Sequence, residues 1–338
     1  MSARMSGEEQ DESGRNPVIL DGPLGSGDRL EGSASPADAL PRFDPREVFL
    51  RHFDALRAGL EGHPYPGFLI GVAHEDQLDI GWVAASADQI RAAIIGRHSR
   101  ATIGLPPDSP VAALRHLTLL VRLDGKRPVA RLLDLQTEVG MSDPLGRRLE
   151  AVRTDGATFL SAGGAVLMLL PSGPDVRLDA DPEAAWAGIP PRRWLEARHG
   201  YDRLPLPTAS GTETVVRTES GPRGCHTRLC REDEIPVGLA EVSALGQSIF
   251  VRVSGRALDE GFLIGRYDRC EVGGPEADES LSRVHLLVVR DGSRVIAIDT
   301  ASTNGTYVND ERVHLVELGD GSLLDLGGVL DLTWRIAN

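Results

Sequence analysis

The chain has 338 residues, with 36 Lys+Arg against 50 Asp+Glu and a formal net charge of −14. That length allows two or three domains, and a composition of 41% hydrophobic and 25% charged residues can bury real cores. The acidic balance argues against nucleic-acid binding by phosphate neutralisation, while leaving room for a local basic pocket. Lys126 is the single lysine among many arginines. Gly125-Lys126-Arg127 is not the Gly-Lys-Ser/Thr of a nucleotide phosphate loop, and Schiff-base chemistry has no other lysine to use. The longest clean apolar run, Ala165 to Leu170, is too short to span a membrane. Met1-Ser2-Ala3-Arg4 leads into acidic rather than apolar sequence, so no signal peptide is expected. Three cysteines fit a reducing cytoplasm.

In chain order, residues 1–43 are rich in Gly, Ser, Asp and Glu and are expected to form a disordered acidic tail. Asp44-Pro45 offers a helix cap followed by proline at the first helical position. Phe49, Phe53, Leu56 and Leu60 then recur on one face, which predicts a helix over 44–62. From Gly67 to Pro171, short apolar runs separated by Gly, Pro and Asp predict an antiparallel β-sandwich. The runs are Phe68-Leu69-Ile70, Ala93-Ile94-Ile95, Leu117 to Val121, Leu132-Leu133 and Ala165 to Leu170, with a short helix expected over Ala85 to Ala92. Residues 179–242 are expected as a helical and polar linker. Within it, one or two short helices lie around Pro190-Pro191, where the proline pair breaks the ladder. Strand-and-turn patterning returns from Ile249 to Ile336.

Three motifs stand in order in this last segment. Gly265-Arg266 ends an apolar strand. Ser282-Arg283-Val284-His285 precedes the apolar run Leu286 to Val289. Ser302-Thr303-Asn304-Gly305-Thr306-Tyr307-Val308-Asn309 follows the run ending at Ile298-Asp299. Together they resemble the forkhead-associated (FHA) domain, over about residues 243–338. The resemblance implies an all-β sandwich that recognises phosphothreonine peptides. A phosphothreonine carries nearly two negative charges and three strong acceptor oxygens. Arg266 and Arg283 can supply charge-assisted forks, and Ser282 a hydroxyl donor. The resemblance assigns Asn304 to gripping the backbone of an extended peptide and Thr303 to a neighbouring contact. It gives His285 a structural role bonding the loops. Gly305 suits a turn with positive φ, and Asn309 is expected to support that turn.

The first sandwich repeats the second. Ile94-Ile95-Gly96-Arg97-His98-Ser99-Arg100 parallels Leu263-Ile264-Gly265-Arg266-Tyr267-Asp268-Arg269. Ala113-Leu114-Arg115-His116 parallels Ser282 to His285, and Asp134 to Gly140 parallels Asp299 to Gly305. The departures fall on the binding positions: Ala113 stands for Ser282, Glu138 for Thr303 and Val139 for Asn304. Residues 63–178 therefore read as a degenerate FHA-like copy that does not take phosphothreonine in the usual way. It is expected to pack on a partner or on its sister.

Upstream of the intact copy lies Gly211-Thr212-Glu213-Thr214-Val215-Val216-Arg217-Thr218-Glu219. It resembles the acidic threonine segment of small bacterial FHA regulators, which a Ser/Thr kinase phosphorylates and the protein's own domain captures. Thr212 and Thr214 are the candidate phosphorylation sites, and a solvated linker or an edge strand is the plain alternative. Cys225-His226 and Cys230 lack the paired spacing of a zinc site. No catalytic constellation, cofactor or metal site is read from the sequence. The expected function is a cytoplasmic phosphothreonine-binding adaptor or regulator in bacterial Ser/Thr kinase signalling, with a phosphoprotein and a kinase as partners, and neither nucleic acid nor membrane. The alternative is an assembly scaffold of secretion or envelope machinery that binds partners without phosphate.

Overall fold

The structure, a computed structural model, describes residues 18–20, 42–190, 192–196, 212–218, 229–273 and 279–337. The tail expected over 1–43 lies almost wholly outside the described residues, as do Cys225 and His226. Within the tail the described residues are 42–43 and an apolar triplet, Val18–Leu20, which forms strand β1.

Helices α1 (Pro45–Arg51) and α2 (Phe53–Gly62) replace the single helix expected there, the chain breaking between them at His52. Asp44 caps α1 by accepting from the Arg46 amide at 2.9 Å. Phe49, Phe53, Leu56 and Leu60 are buried together against Leu69, Phe159, Met168 and Leu170. The helices thus seal one face of the first sandwich by burying their apolar stripe.

That sandwich contains β2 (Gly67–His74), β3 (Gln77–Ala84), β4 (Arg91–Gly96), β5 (Ile103–Gly104), β6 (Leu117–Asp124), β7 (Arg127–Asp134), β8 (Met141–Ser142), β9 (Arg148–Thr154), β10 (Thr158–Ala162) and β11 (Ala165–Ser172). Its strands run in the order β3-β2-β11-β10-β8-β9-β7-β6-β4-β5. The expected helix over 85–92 is absent. The Ser86 carbonyl accepts from the Leu123 amide at 2.9 Å, and the segment turns into β4 before a helical nucleus could form.

The segment expected as a linker adds α3 (Pro182–Gly188), β12 (Arg192–Glu196) and β13 (Thr212–Thr218). After Pro190-Pro191 the chain is extended rather than helical, Arg192–Glu196 being held as a strand by its partners on either side. Strand β13 pairs with β9 in antiparallel fashion and with β12 in parallel, and β12 pairs with β1. The first sheet is thereby extended rather than followed by a free linker.

The second sandwich contains β14 (Pro236–Ala244), β15 (Gln247–Ser254), α4 (Gly255–Glu260), β16 (Phe262–Gly265), β17 (Val272–Gly273), β18 (Leu286–Asp291), β19 (Arg294–Asp299), β20 (Thr306–Val308), β21 (Glu311–Val313), β22 (Leu315–Glu317), β23 (Ser322–Leu326) and β24 (Leu330–Ile336). Its sheets run β15-β14-β24-β23-β20-β21 and β17-β16-β18-β19-β22. It begins at β14, ahead of residue 243, because β14 sits between β15 and β24. Trp334 is buried against Gly238, where a Cβ would meet the indole at 2.1 Å, so only glycine lets β14 pass.

The two sandwiches pack face to face. Ile94, Leu120, Leu133, Leu135 and Ala151 of the first meet Leu263, Val284, Leu287, Val289, Ile296 and Ile298 of the second in one buried cluster. Each sandwich also keeps its own interior core.

Candidate functional site

The site forms where β16 ends against the segment leading into β18. The amides of Arg266 and Tyr267 donate to the carbonyls of Ser282 and Arg283, at 3.2 and 3.0 Å. Gly265 permits this approach, since a Cβ there would lie 2.4 Å from the Arg283 carbonyl oxygen.

Residues 280–283 are the hub of the site. Arg266 Nε donates to the Leu281 carbonyl at 3.0 Å, and Asn304 Nδ2 donates to the Ser280 carbonyl at 2.8 Å. Ser282 Oγ accepts from the Thr303 amide at 2.9 Å. Its hydroxyl hydrogen has no acceptor among the described residues and is available to a ligand. Arg283, Thr303 and Asn304 are exposed around the buried Ser282. Arg283 donates to the Tyr267 hydroxyl at 2.9 Å. All five residues proposed from sequence to contact the phosphopeptide are thus attached to one short segment at one end of the sandwich.

The support beneath them is buried. His285 Nδ1 accepts from the Ser282 amide at 3.2 Å, which leaves the proton on Nε2 to be donated to the Gly305 carbonyl at 3.0 Å. Burial pushes the His285 imidazole below its usual pKa, partly offset by Asp299. Asp299 accepts from the Ser302 amide at 2.8 Å and from Thr306 Oγ1 at 2.9 Å. Ser302 Oγ in turn accepts from the Gly305 amide at 3.0 Å. Gly305 has φ +91°. Asn309 has a different place from the one expected: with Asp310 it has positive φ, and the pair makes the two-residue turn joining β20 to β21.

The first sandwich keeps this support and lacks the recognition groups. Arg97 Nε donates to the Ala112 carbonyl at 2.6 Å. His116 accepts from the Ala113 amide at 3.1 Å and bonds the Gly140 carbonyl at 2.8 Å. Thr137 Oγ1 accepts from the Gly140 amide at 3.0 Å, as Ser302 does for Gly305. Ala113 has no hydroxyl to offer, and Val139 has no amide. Thr212 and Thr214 belong to β13, with Thr214 opposite Thr154 of β9. Delivery of either to the second sandwich would require β13 to leave the sheet.

Sequence reasoning missed the arginines that join the copies. Arg115 Nε and Nη2 donate to the carbonyls of Thr300 and Ala301 at 2.6 and 2.7 Å, and Nη2 lies 3.5 Å from Ser282 Oγ. Arg100 Nη1 donates to the carbonyls of Ser302 and Thr303 at 3.0 and 2.5 Å. Two side chains of the first copy therefore hold four successive carbonyls of the loop that presents Thr303 and Asn304. Arg269, equivalent to Arg100, reaches back to the Gln136 carbonyl at 3.1 Å. A signal was present: Gly-Arg-x-x-Arg occurs in both copies, and the turn itself does not need its last arginine.

Comparison with known proteins bears on this geometry directly. Residues 262–327 match the family model of the FHA domain. This chain carries an FHA domain. The first sandwich is an FHA-like copy of it, with corresponding strands and loop hydrogen bonds. Over 65 residues the chain is 38% identical to the ABC transporter ATP-binding/permease protein Rv1747 of Mycobacterium tuberculosis. The match covers 19% of the chain and 7% of that protein, so the chain spans only a small part of this curated relative's length. Among solved structures, the Mycobacterium tuberculosis Rv1747 FHA-1 is similar at 27% identity, covering 30% of this chain and 99% of that one, with a TM-score of 0.25. The FhaA FHA domain complexed with the intracellular domain of Rv3910 is similar at 28% identity over 29% of this chain and 99% of that one, with a TM-score of 0.24. Among the described residues, no helix is long and apolar enough to cross a membrane.

Proposed function

We propose that the chain is a phosphothreonine-peptide-binding adaptor or regulator in Ser/Thr kinase signalling, acting in the cytoplasm through its C-terminal sandwich and catalysing no reaction. The observation that carries this reading is the Ser282 hydroxyl, which donates to no group among the described residues, set among Arg266, Arg283, Thr303 and Asn304. A phosphate dianion is met there by a hydroxyl donor and guanidinium charge. The Asn304 amide and the Thr303 side chain stand exposed beside it, where an extended peptide backbone would pass.

The test is a calorimetric titration of the full chain with a degenerate phosphothreonine peptide library, with phosphoserine and unphosphorylated libraries as controls. Binding should select phosphothreonine. Arg266→Ala and Asn304→Ala should each weaken it by about tenfold or more, since hydrogen bonds to charged groups contribute roughly 1.5–3 kcal/mol. Binding that ignores the phosphate and survives Ser282→Ala would instead support an assembly scaffold.

A further inference from the structure

A cleft of about 510 Å3 opens between the two copies. It is lined from the first copy by Arg97, Arg115, Glu138 and Val139, and from the second by Tyr267, Arg269 and Arg283. The wall from the first copy is its own degenerate recognition surface. The second copy supplies guanidinium groups where that surface has lost its hydroxyl and amide.

The charges in this cleft are unbalanced. Among the described residues, no carboxylate forms an ion pair with Arg97, Arg100, Arg115, Arg269 or Arg283. Burial is the largest influence on Arg115, followed by the opposite charge of Asp299 and then by the like charges of Arg100, Arg283 and Arg269. Arginine stays protonated under all ordinary conditions, so the cluster cannot relieve its repulsion by losing protons. The hydrogen bonds described for these side chains also leave donors over. Arg97 uses only Nε, and Arg269 uses only Nη1. Arg269 Nε is buried with no hydrogen-bond partner. Arg115 is buried and Arg269 half-buried, with Arg97, Arg100 and Arg283 exposed around them, and an anion would complete the donors left over.

We propose that this cleft is a second anion site, which takes the phosphate monoester of a phosphorylated side chain on a partner protein. Ser282 and Asn304 are not part of its lining, although it shares Arg283 with the phosphothreonine site and borders it at Arg115, whose Nη2 is 3.5 Å from Ser282 Oγ. With no hydroxyl at Ala113 and no amide at Val139, it reads charge and not the identity of the phosphorylated residue. Phosphoserine and phosphothreonine are therefore equivalent ligands, and a partner phosphorylated twice can engage both copies. A nucleotide is disfavoured because Tyr267, the single ring in the lining, already has the guanidinium groups of Arg269 and Arg283 at 5.0 and 5.3 Å from its centroid. Glu138 opposes any anion and keeps the site weak.

The experiment uses the full chain carrying Asn304→Ala, which removes a group of the phosphothreonine site and none of the cleft. Inorganic phosphate, O-phosphoserine and O-phosphothreonine are titrated at constant ionic strength while arginine Nε–H resonances are followed by NMR. Saturable shifts of Arg97 and Arg269 are expected, with equal affinity for the two phosphoamino acids; shifts confined to Arg266 and Arg283 would report the phosphothreonine site instead and overturn the proposal. Arg97→Gln, at an exposed position, and Arg269→Gln should each weaken binding by about tenfold, and Glu138→Gln should tighten it. No saturable shift, or an equal response to chloride, would overturn the site. Tighter binding of a mononucleotide than of O-phosphoserine would overturn the ligand class. Failure of the wild-type chain to bind phosphothreonine peptides would overturn the function proposed above and leave this result standing.

Discussion

His285 ties together the two loops of the candidate site from beneath. Its two ring nitrogens tie the Ser282 amide to the Gly305 carbonyl, so it fixes the distance between the two recognition loops. His285→Ala leaves both backbone groups buried and unpaired, at a cost of about 2–4 kcal/mol. Thermal unfolding should show that loss, and phosphopeptide affinity should fall with it. The same ring sets a pH dependence. Burial lowers the His285 pKa from 6.5, and does the same for His116 in the first copy. Below pH 6.5 the unfolded chain takes up protons that the folded rings resist, so stability is full above that value and declines beneath it. Denaturation midpoints measured between pH 5 and 8 should fall on the acid side, and the fall should be shallower in His285→Gln.

At the scale of elements, the loop of residues 300–303 is held from outside its own domain. Arg115 and Arg100 take its successive carbonyls. A loop left to itself would carry more conformational freedom into binding and lose affinity on ordering. Arg100→Ala, at an exposed position, should change stability by about 1 kcal/mol or less while raising the phosphopeptide Kd several-fold. Arg115→Ala, at a buried position, should do both. Unchanged affinity in both variants would show that the loop needs no support. The loops themselves were legible in the sequence because their chemistry permits few residue types. Gly265 must lack a Cβ, Ser282 must carry a hydroxyl, and His285 must both accept and donate. The arginines that hold them were not legible as such, because their partners are backbone carbonyls, which leave no mark on residue identity. Asn309 was read one turn too early for a related reason. Its positive φ serves the β20–β21 hairpin, and Asn suits either turn.

At the scale of the molecule, two similar sandwiches share one buried cluster, and side chains of the first hold the loop of residues 300–303 in the second. Their contact was partly written in the strands. Leu286-Leu287-Val288-Val289 is continuously apolar and Leu117 to Val121 is broken only by Thr118, the mark of strands covered on both faces. A sandwich with one wet face would alternate. The sequence reading left a partner or the sister copy as the cover for the first sandwich, and the structure shows the sister copy. The connection after Pro191 was illegible for another reason: β13 pairs with β9 and β12 pairs in turn with β13, and the first of these is a long-range contact that local propensity cannot report. The shared cluster predicts a single calorimetric transition for the described folded unit. Leu287→Asp, which places a charge in that cluster, should split or lower it, whereas two transitions in the wild type would mean that the copies are independent.

The most direct measurement is amide chemical-shift mapping of the full chain with one equivalent of a singly phosphorylated threonine peptide. We expect the largest shifts at Arg266, Ser282, Thr303 and Asn304, smaller ones at Arg100 and Arg115, and none of comparable size from the unphosphorylated peptide. Equal shifts with and without the phosphate, or a first equivalent that perturbs residues 137–140 and spares residues 302–305, would contradict the division of labour between the two copies.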